Sequence, residues 1–260
     1  MGEELFGKHM IIGEVGLNHL GDEDYANEYI NFHLNNDFES LSFQIRESEF
    51  YQREEKKNLQ LDESFYEKIV KIYSKIEHKK IGLSVSNLNS IKNIISLKFD
   101  FYKILSIAAK DINLIDTILK KTDANIYISI GSLNLEEINK IIKMYIDNDR
   151  IKFNYTQLSY NSENINFLNL LDFASKYENK FSYGHHYIND IPIILSKSIK
   201  KCDIFIYLKG PKKVKHPDEA HAIEFKNFTN LLIKINEIDQ ILGINGRLFS
   251  KNDIPDQNQK

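Results

Sequence analysis

Residues 11–22, IIGEVGLNHLGD, place chemically reactive side chains at the end of an apolar run. Glu14 supplies a carboxylate, His19 an imidazole, and Asn18 and Asp22 further polar groups. A carboxylate and an imidazole act as acids, bases or metal ligands near neutral pH. Core packing alone gives no reason for these side chains at the end of a buried strand, so we expect the segment to belong to a functional site.

Polar side chains recur where other apolar runs end. They are Gln44, Ser84, Asn87, Lys103, Ser106, Ser129, Asn154, Gln157, His185 and His186. Gly131, directly after the fifth apolar run, contributes the free backbone N–H groups of a turn. A buried ammonium without a partner is costly. Lys103 therefore predicts either an acidic ligand or a carboxylate neighbour.

Eight short segments rich in Ile, Val, Phe and Tyr have the character of buried strands. They cover residues 10–15, 41–45, 81–85, 101–106, 125–130, 151–155, 181–184 and 203–208. Segments of helical period lie between them, such as 22–36, 61–77 and 134–148, and another follows the last strand at 224–242.

This alternation predicts an α/β fold, a single-domain (β/α)8 TIM barrel over residues 1–245, followed by a flexible C-terminal tail at 246–260. A doubly wound open sheet is the alternative. In such barrels the carboxyl ends of the strands meet at one mouth, so the polar residues above are expected to converge there.

Composition narrows the class of protein. The 260 residues are 42% hydrophobic with a net charge of -3, and no apolar run reaches the length of a membrane span. The amino terminus does not resemble a signal peptide, so we expect a cytoplasmic protein. Cys202 has no cysteine to pair with, which fits a reducing compartment. No basic face interleaved with aromatic residues appears, which argues against nucleic acid as a partner.

The clearest motif is IIGEVGLNHLGD, which resembles I-I-A-E-I-G-x-N-H-x-G-D, the opening of the N-acetylneuraminate (sialic acid) synthases and their legionaminate and pseudaminate synthase relatives. Other segments are similar to family motifs in the same order: SFQ to K-F-Q, FYKILS to F-K-I-G-S, ISIGSLNLEEI to L-S-T-G-M-A-T-L-E-E-I, YGHH to Y-S-D-H, and HPDEAHAIEFKNF to G-P-D-H-x-A-S-L-E-P-D-E-F. The matches cover residues 10–243.

The resemblance implies an enzyme that condenses phosphoenolpyruvate with an N-acyl amino-hexose into a nine-carbon 2-keto-3-deoxy acid, with Mn²⁺ or Mg²⁺ polarising the sugar aldehyde. Matched position by position, it implies Glu14 and His19 as catalytic residues and His186 as a metal ligand. The implied substrate-binding residues are Gln44, Lys103, Ser106, Gly131, Gln157 and Asp218.

Three departures from the family pattern stand out. Ser42 replaces the lysine of K-F-Q, which removes a cation, and Gln157 stands where an asparagine is expected. The second metal histidine falls on Tyr207 or Leu208, depending on a one-residue gap. A single imidazole is a poor anchor for Mn²⁺ or Mg²⁺, so His185, His216 or His221 would have to replace it.

We also expect the C-terminal antifreeze-like domain of the family to be lacking, so that a homodimer or a separate antifreeze-like protein would complete the site. Structural interpretations remain open as well: Glu14 could form a structural ion pair with Lys103, and His19 could order its loop. Three hypotheses follow: a trimmed synthase, a related enzyme that forms a different carbon–carbon bond, or a barrel without catalysis that binds a sugar acid or a partner enzyme.

Overall fold

The computed structural model describes residues 10–199 and 201–242 and shows a closed barrel. Each strand runs parallel to the next in chain order, and β8 pairs with β1, so the sheet has no open edge between them. The strands are β1 (Ile11–Gly16), β2 (Ser40–Ile45), β3 (Lys80–Val85), β4 (Phe101–Ile104), β5 (Asn125–Ser129), β6 (Ile151–Thr156), β7 (Phe181–His185), β8 (Asp203–Lys209) and a two-residue extension, β9 (Ile223–Glu224). The predicted single-domain TIM barrel is confirmed, and the open-sheet alternative is wrong.

Helices cover the outside of the barrel. They are α1 (Glu23–Leu34), α2 (Ser48–Tyr51), α3 (Glu63–Tyr73), α4 (Ile112–Lys121), α5 (Leu135–Tyr145), α6 (Phe167–Lys176), α7 (Ile191–Ser196) and α8 (Phe225–Ile241). None of these described helices is long and apolar enough to cross a membrane. The predicted tail at 246–260 and both outer limits of the domain lie outside the described residues, so these boundaries stay predictions.

The connection between β3 and β4 departs from the expected alternation. It contains only a 3-10 turn at Asn89–Ile91 where the pattern predicts an α-helix. The side chain of Asn87 accepts a hydrogen bond from the N–H of Ser90, and the Ser90 hydroxyl donates back to the Asn87 carbonyl. Such local side-chain bonds compete with helical hydrogen bonding.

The barrel interior is built in layers because side chains alternate between the two faces of each strand. Ile12, Phe101, Tyr127 and Phe205 form an apolar floor, closed beneath by Met10. The next inward positions, two residues further along β1, β4 and β8, are Glu14, Lys103 and Tyr207. The polar groups of the mouth therefore rest directly on an apolar layer.

Gly82 makes room for this floor. A Cβ atom at this position would lie 2.1 Å from the Phe101 ring, a packed aromatic group. We expect Gly82→Ala to lower the free energy of unfolding by about 1–3 kcal/mol, the usual cost of overpacking. Urea denaturation measures it. Gly13→Ala is the comparison, because its Cβ would meet side-chain atoms of Leu208 and Phe38 at 2.7–2.9 Å, and a smaller loss is expected. Equal stability of wild type and Gly82→Ala would contradict the packing described.

Candidate active site at the barrel mouth

An ion pair between Glu14 and Lys103 occupies the centre of the mouth. The Lys103 Nζ lies 2.6 Å from both carboxylate oxygens, and the two side chains are only 2–3% exposed. The ammonium also lies 4.7 Å from the centroid of the Phe205 ring in the floor. The carboxylate neighbour that Lys103 required is therefore Glu14. Since desolvation offsets most of the attraction in a buried pair, folding stability alone is a weak reason for it.

Hydroxyl and amide groups surround this ion pair on the β2, β3 and β5–β7 walls. The Ser42 and Ser84 hydroxyls lie 3.3 Å apart, and Gln44 is the next inward residue on β2. On the opposite wall, Ser182 donates to the Asn154 side-chain oxygen at 3.1 Å. These neutral donors and acceptors suit the oxygen atoms of a bound ligand. Ser42 leaves the inner face of β2 without the cation that the resemblance predicts.

The β1–α1 loop is tied down by its own polar residues. The Asn18 side chain donates to the Leu208 carbonyl at 2.8 Å and accepts from the N–H of Asp218 at 3.0 Å. His19 is fully buried, and its Nδ1 accepts from the N–H of Gly21 at 3.0 Å. Burial lowers the His19 pKa to about 3, so the ring is neutral. These contacts order the loop, and the catalytic role of His19 stays a prediction.

Asp218 reaches the mouth from the loop after β8. Its carboxylate lies over Gly16, where a Cβ atom would come within 2.9 Å of the Asp218 Oδ2. Burial and the negative charge of Glu14 raise its pKa to about 7, against the opposing effect of Lys103 and Lys56. A carboxyl group that titrates near neutral pH is suited to give or take a proton.

This raised pKa makes a testable contribution to stability. Between pH 4 and pH 7 the folded state holds a proton on Asp218 that the unfolded state has lost, so its stabilising contribution is lost as pH rises through about 7. Asp218→Asn cannot ionise, and we expect its melting temperature relative to wild type to be higher at pH 8 than at pH 5. Scanning calorimetry at both pH values measures this, with the exposed Asp123→Asn as control. A difference that does not change with pH would refute the assignment.

Of the two residues at which the resemblance predicts the second metal histidine, Tyr207 is the one that faces the mouth. This side chain is inward-facing and 5% exposed, whereas Leu208 packs in the core between strands and helices. The His186 ring lies 5.2 Å from the Tyr207 ring and 4.4 Å from the His221 ring, with the two imidazole planes 28° apart. Of the three replacements considered from sequence, His221 is therefore the one in contact with His186.

The other two histidines have different neighbours. The His185 Nδ1 faces the Tyr183 hydroxyl at 3.4 Å on the helix side of β7. The His216 Nε2 lies 2.8 Å from the Tyr25 hydroxyl of α1. Within 10–199 and 201–242, no group of three His, Cys, Asp or Glu side chains is arranged to hold a metal ion. The donor set around His186 therefore does not fit the divalent metal that the resemblance implies, since Mn²⁺ and Mg²⁺ require several ligands.

Three predicted binding residues do not join the central cluster. Ser106 begins a 3-10 turn after β4, and its carbonyl accepts from the Ser132 hydroxyl at 2.7 Å. Gly131 lies so close to β6 that a Cβ atom would be 2.5 Å from the Thr156 carbonyl oxygen. Gln157 donates to the Tyr155 hydroxyl at 2.8 Å and lines, with Gly131, a cavity of about 470 Å³ beside α5 and α6. Substrate binding by these three residues stays a prediction.

The sequence interpretation missed two groups at the rim. Arg46 directly follows β2, forms a two-bonded pair with Glu47 at 2.9 and 3.1 Å, and lies 4.4 Å from the centroid of the Phe50 ring. Its charge favours ionisation of Tyr207, although burial keeps the Tyr207 pKa well above its usual value. Tyr160, on the loop after β6, lies 5.9 Å from the His221 ring. The positive charge directly after the end of a predicted strand is the sequence feature that could have identified Arg46. No comparable sequence feature points to Tyr160.

Comparison with known proteins gives one family match. The profile of the NeuB family matches residues 27–246. No curated protein sequence matches the chain.

Several solved structures share the fold. The N-acetylneuraminic acid (sialic acid) synthetase of Leptospira borgpetersenii serovar Hardjo-bovis, in complex with citrate, has a TM-score of 0.81 and 19% identity over 95% of this chain and 89% of that one. A putative spore coat polysaccharide biosynthesis protein E of Chromobacterium violaceum has a TM-score of 0.79 and 16% identity over 94% and 79%. A truncated 3-deoxy-D-arabino-heptulosonate 7-phosphate synthase of Thermotoga maritima has a TM-score of 0.68 and 13% identity over 91% and 88%. At these identities the likeness concerns the fold.

Proposed function

Because this chain belongs to the NeuB family, we propose that it is a sialic-acid-type synthase of carbohydrate biosynthesis. Its reaction joins phosphoenolpyruvate to the aldehyde carbon of an N-acyl amino-hexose and yields a nine-carbon 2-keto-3-deoxy sugar acid. The observation that carries this proposal is the buried Glu14–Lys103 pair at the centre of the mouth. The ammonium can bind an anionic substrate, and the carboxylate 2.6 Å away can accept a hydrogen bond from a hydroxyl group of a second substrate beside it.

Different residues of the mouth bind the substrates and transfer protons in the proposed reaction. The Lys103 ammonium binds the phosphate or carboxylate of phosphoenolpyruvate, and the Ser84 and Asn154 side chains offer hydrogen bonds to its other oxygens. The enol carbon forms a bond to the aldehyde carbon, whose oxygen takes a proton. Water then adds to the cationic carbon that results and gives up a proton. The added hydroxyl loses its remaining proton as the C–O bond to phosphate breaks, so that a ketone forms and inorganic phosphate leaves. Asp218, with a pKa of about 7, is placed to move one of these protons, while Glu14 accepts a hydrogen bond from a sugar hydroxyl.

NeuB-family synthases typically depend on a metal, and Mn²⁺ and Mg²⁺ are the ions to test for this chain. Its own residues do not supply the expected pair of histidines, because Tyr207 replaces one of them. We therefore assign no step of the reaction to a metal ion.

A second candidate function has a specific observation in its favour. Compared with the family pattern, the mouth lacks a cation, because Ser42 stands where a lysine is expected, and lacks an imidazole at Tyr207. The Glu14–Lys103 pair is present. A barrel of this composition would bind phosphoenolpyruvate or a sugar acid without turnover, as a regulatory or scaffold protein.

Phosphate release separates the two functions. The purified chain is incubated with phosphoenolpyruvate and N-acetylmannosamine or 6-deoxy diamino-hexoses, with Mn²⁺, Mg²⁺ or a chelator. We expect sugar-dependent release that falls at least about 100-fold in Glu14→Gln, which removes the charge that holds Lys103. The exposed Glu136→Gln is the control. Binding of phosphoenolpyruvate by calorimetry without release from any sugar would favour the second function.

A further inference from the structure

Three cationic side chains gather around one aromatic ring at the rim of the mouth. The guanidinium carbons of Arg46 and Arg53 and the Lys56 ammonium lie 4.4, 5.7 and 5.8 Å from the centroid of the Phe50 ring. Contact with the ring face attracts each of these groups. The three positive charges of this rim cluster repel one another, so an anionic ligand among them would stabilise the arrangement.

Only one of the three cations is paired with a carboxylate. Glu47 binds one edge of the Arg46 guanidinium through two hydrogen bonds and accepts a third from the Ser86 hydroxyl at 2.5 Å. The N–H groups on the other edge of Arg46 have no acceptor in the part of the chain that the structure describes. A guanidinium held in this way presents a preoriented pair of donors to an incoming oxyanion.

The other two cations keep their charge for a ligand. Within residues 10–199 and 201–242, neither Arg53 nor Lys56 forms an ion pair, and Glu54, which lies between them in the chain, pairs with Lys57 at 2.6 Å instead. The rim cluster is therefore a concentration of positive charge that its neighbours leave largely uncompensated.

The loop that carries this cluster packs against the loop of the central carboxylate. Phe50 shares a small apolar cluster with Leu17, which follows Glu14 by three residues on the β1–α1 loop. The two loops also touch at Gly21, where a Cβ atom would lie 1.8 Å from the Asn58 carbonyl oxygen. The rim cluster is thus held beside the mouth by contacts between the two loops.

The wall below the cluster has no cation of its own. Ser42 and Gln44 are the inward residues of β2, both neutral, and Arg46 is the next residue along the chain with the same alternation. From the same loop, the Lys56 charge opposes the burial that raises the Asp218 pKa, so its field reaches into the mouth.

Charge balance indicates which ligand the cluster fits. Phosphoenolpyruvate carries a phosphate and a carboxylate, whereas the centre of the mouth offers one ammonium, Lys103, already paired with Glu14 at 2.6 Å. A guanidinium edge binds two phosphate oxygens through parallel hydrogen bonds, a geometry that an ammonium does not provide. The rim cluster therefore suits the phosphate and leaves the carboxylate to Lys103.

We propose that Arg46, Arg53 and Lys56 form a phosphate-binding site at the rim, which binds the phosphate of phosphoenolpyruvate while Lys103 binds its carboxylate. The identity of the substrate rests on the proposed function, whereas the excess of positive charge around Phe50 does not. Glu47 positions Arg46 through the edge that it binds, and the other edge binds the ligand.

Calorimetry in phosphate-free buffer tests the rim site directly, with phosphoenolpyruvate and inorganic phosphate titrated separately. The double variant Arg53→Gln/Lys56→Gln removes two charges from the rim. Lys71→Gln/Lys75→Gln removes the same charge from exposed positions at the end of α3 and is the matched control. Thermal melts confirm that each variant folds.

We expect the affinity for phosphoenolpyruvate and for inorganic phosphate to fall at least about 10-fold in Arg53→Gln/Lys56→Gln and to stay within about 2-fold in the control. Arg46→Lys keeps the charge and removes the fork, so a smaller fall is expected. Lys103→Met should leave the affinity for inorganic phosphate within about 2-fold, because the carboxylate is the group that Lys103 binds.

Several results would overturn the rim site. One is equal affinity for phosphoenolpyruvate in wild type and Arg53→Gln/Lys56→Gln, which leaves the proposed synthase standing if sugar-dependent phosphate release is seen. Others are an equal loss in the Lys71→Gln/Lys75→Gln control, which shows general attraction only, and loss of inorganic phosphate binding in Lys103→Met alone. Rim-dependent binding of phosphoenolpyruvate without release from any sugar supports the rim site and refutes the synthase. Absence of phosphoenolpyruvate binding overturns both.

Discussion

Lys103→Met is expected to abolish detectable binding of phosphoenolpyruvate, a loss of affinity of at least about 100-fold, because the substitution removes the ammonium at the centre of the mouth. It should also lower the free energy of unfolding by about 3–5 kcal/mol, since the buried Glu14 carboxylate loses its partner. Calorimetry with phosphoenolpyruvate and urea denaturation measure the two effects.

Lys152→Met separates binding from stability. Lys152 forms an ion pair with Asp203 at 2.5 Å at the opposite end of the barrel, so its loss should destabilise the fold and leave phosphoenolpyruvate affinity unchanged. The double variant Glu14→Gln/Lys103→Met should recover part of the stability and none of the binding, because no unpaired charge remains. Unchanged affinity in Lys103→Met would remove this residue from the binding site.

Acid should destabilise the protein steeply below pH 6.5. Burial is the main cause that lowers the pKa of His19 and His33 to about 3 and that of His185 and His221 to about 4. The unfolded chain takes up these protons near pH 6.5 and the folded chain does not, so the stability they contribute is present above pH 6.5 and is lost as pH falls. At pH 5 each imidazole accounts for about 2 kcal/mol, from a difference of about 1.5 pH units.

The four contributions together are comparable with the whole free energy of unfolding of an ordinary domain, about 5–15 kcal/mol. Asp218 acts in the opposite direction between pH 4 and 7, but it is one group against four. Urea denaturation at pH 7.5, 6.0 and 5.0 measures the slope. His19→Gln should flatten it, and the exposed His78→Gln should leave it unchanged. Equal free energies of unfolding at pH 7.5 and 5.0 would show that these histidines are not buried as described.

Much of the fold could be predicted from local pattern. Eight apolar segments alternating with amphipathic ones are enough to indicate parallel strands with helices between them, and each predicted strand overlaps an observed one. The β3–β4 connection was not predictable in this way, because the hydrogen bonds of Asn87 and Ser90 compete there with a helix that the overall alternation favours.

The candidate site was predictable in its position but not in its contacts. Polar residues at strand ends indicate the mouth. Asn154 lies within β6 and meets Ser182, whereas Gln157 follows the last residue of β6 and bonds the Tyr155 hydroxyl beside α6. The predicted burial of Lys103 required an acidic partner, but the sequence around Lys103 does not indicate whether that partner is a ligand or Glu14.

The sequence by itself determined the fold class, the family resemblance and the set of side chains available at the mouth, because these depend on residue type and short-range period. Only the tertiary structure decided which of them meet. Glu14 and Lys103 are 89 residues apart in the chain, and closure of β8 onto β1 places Tyr207 beside Glu14. His221 reaches His186 from the loop after β8. Such pairings follow from strand register and barrel closure. Both result from packing the whole chain, so the sequence of a single segment does not indicate them.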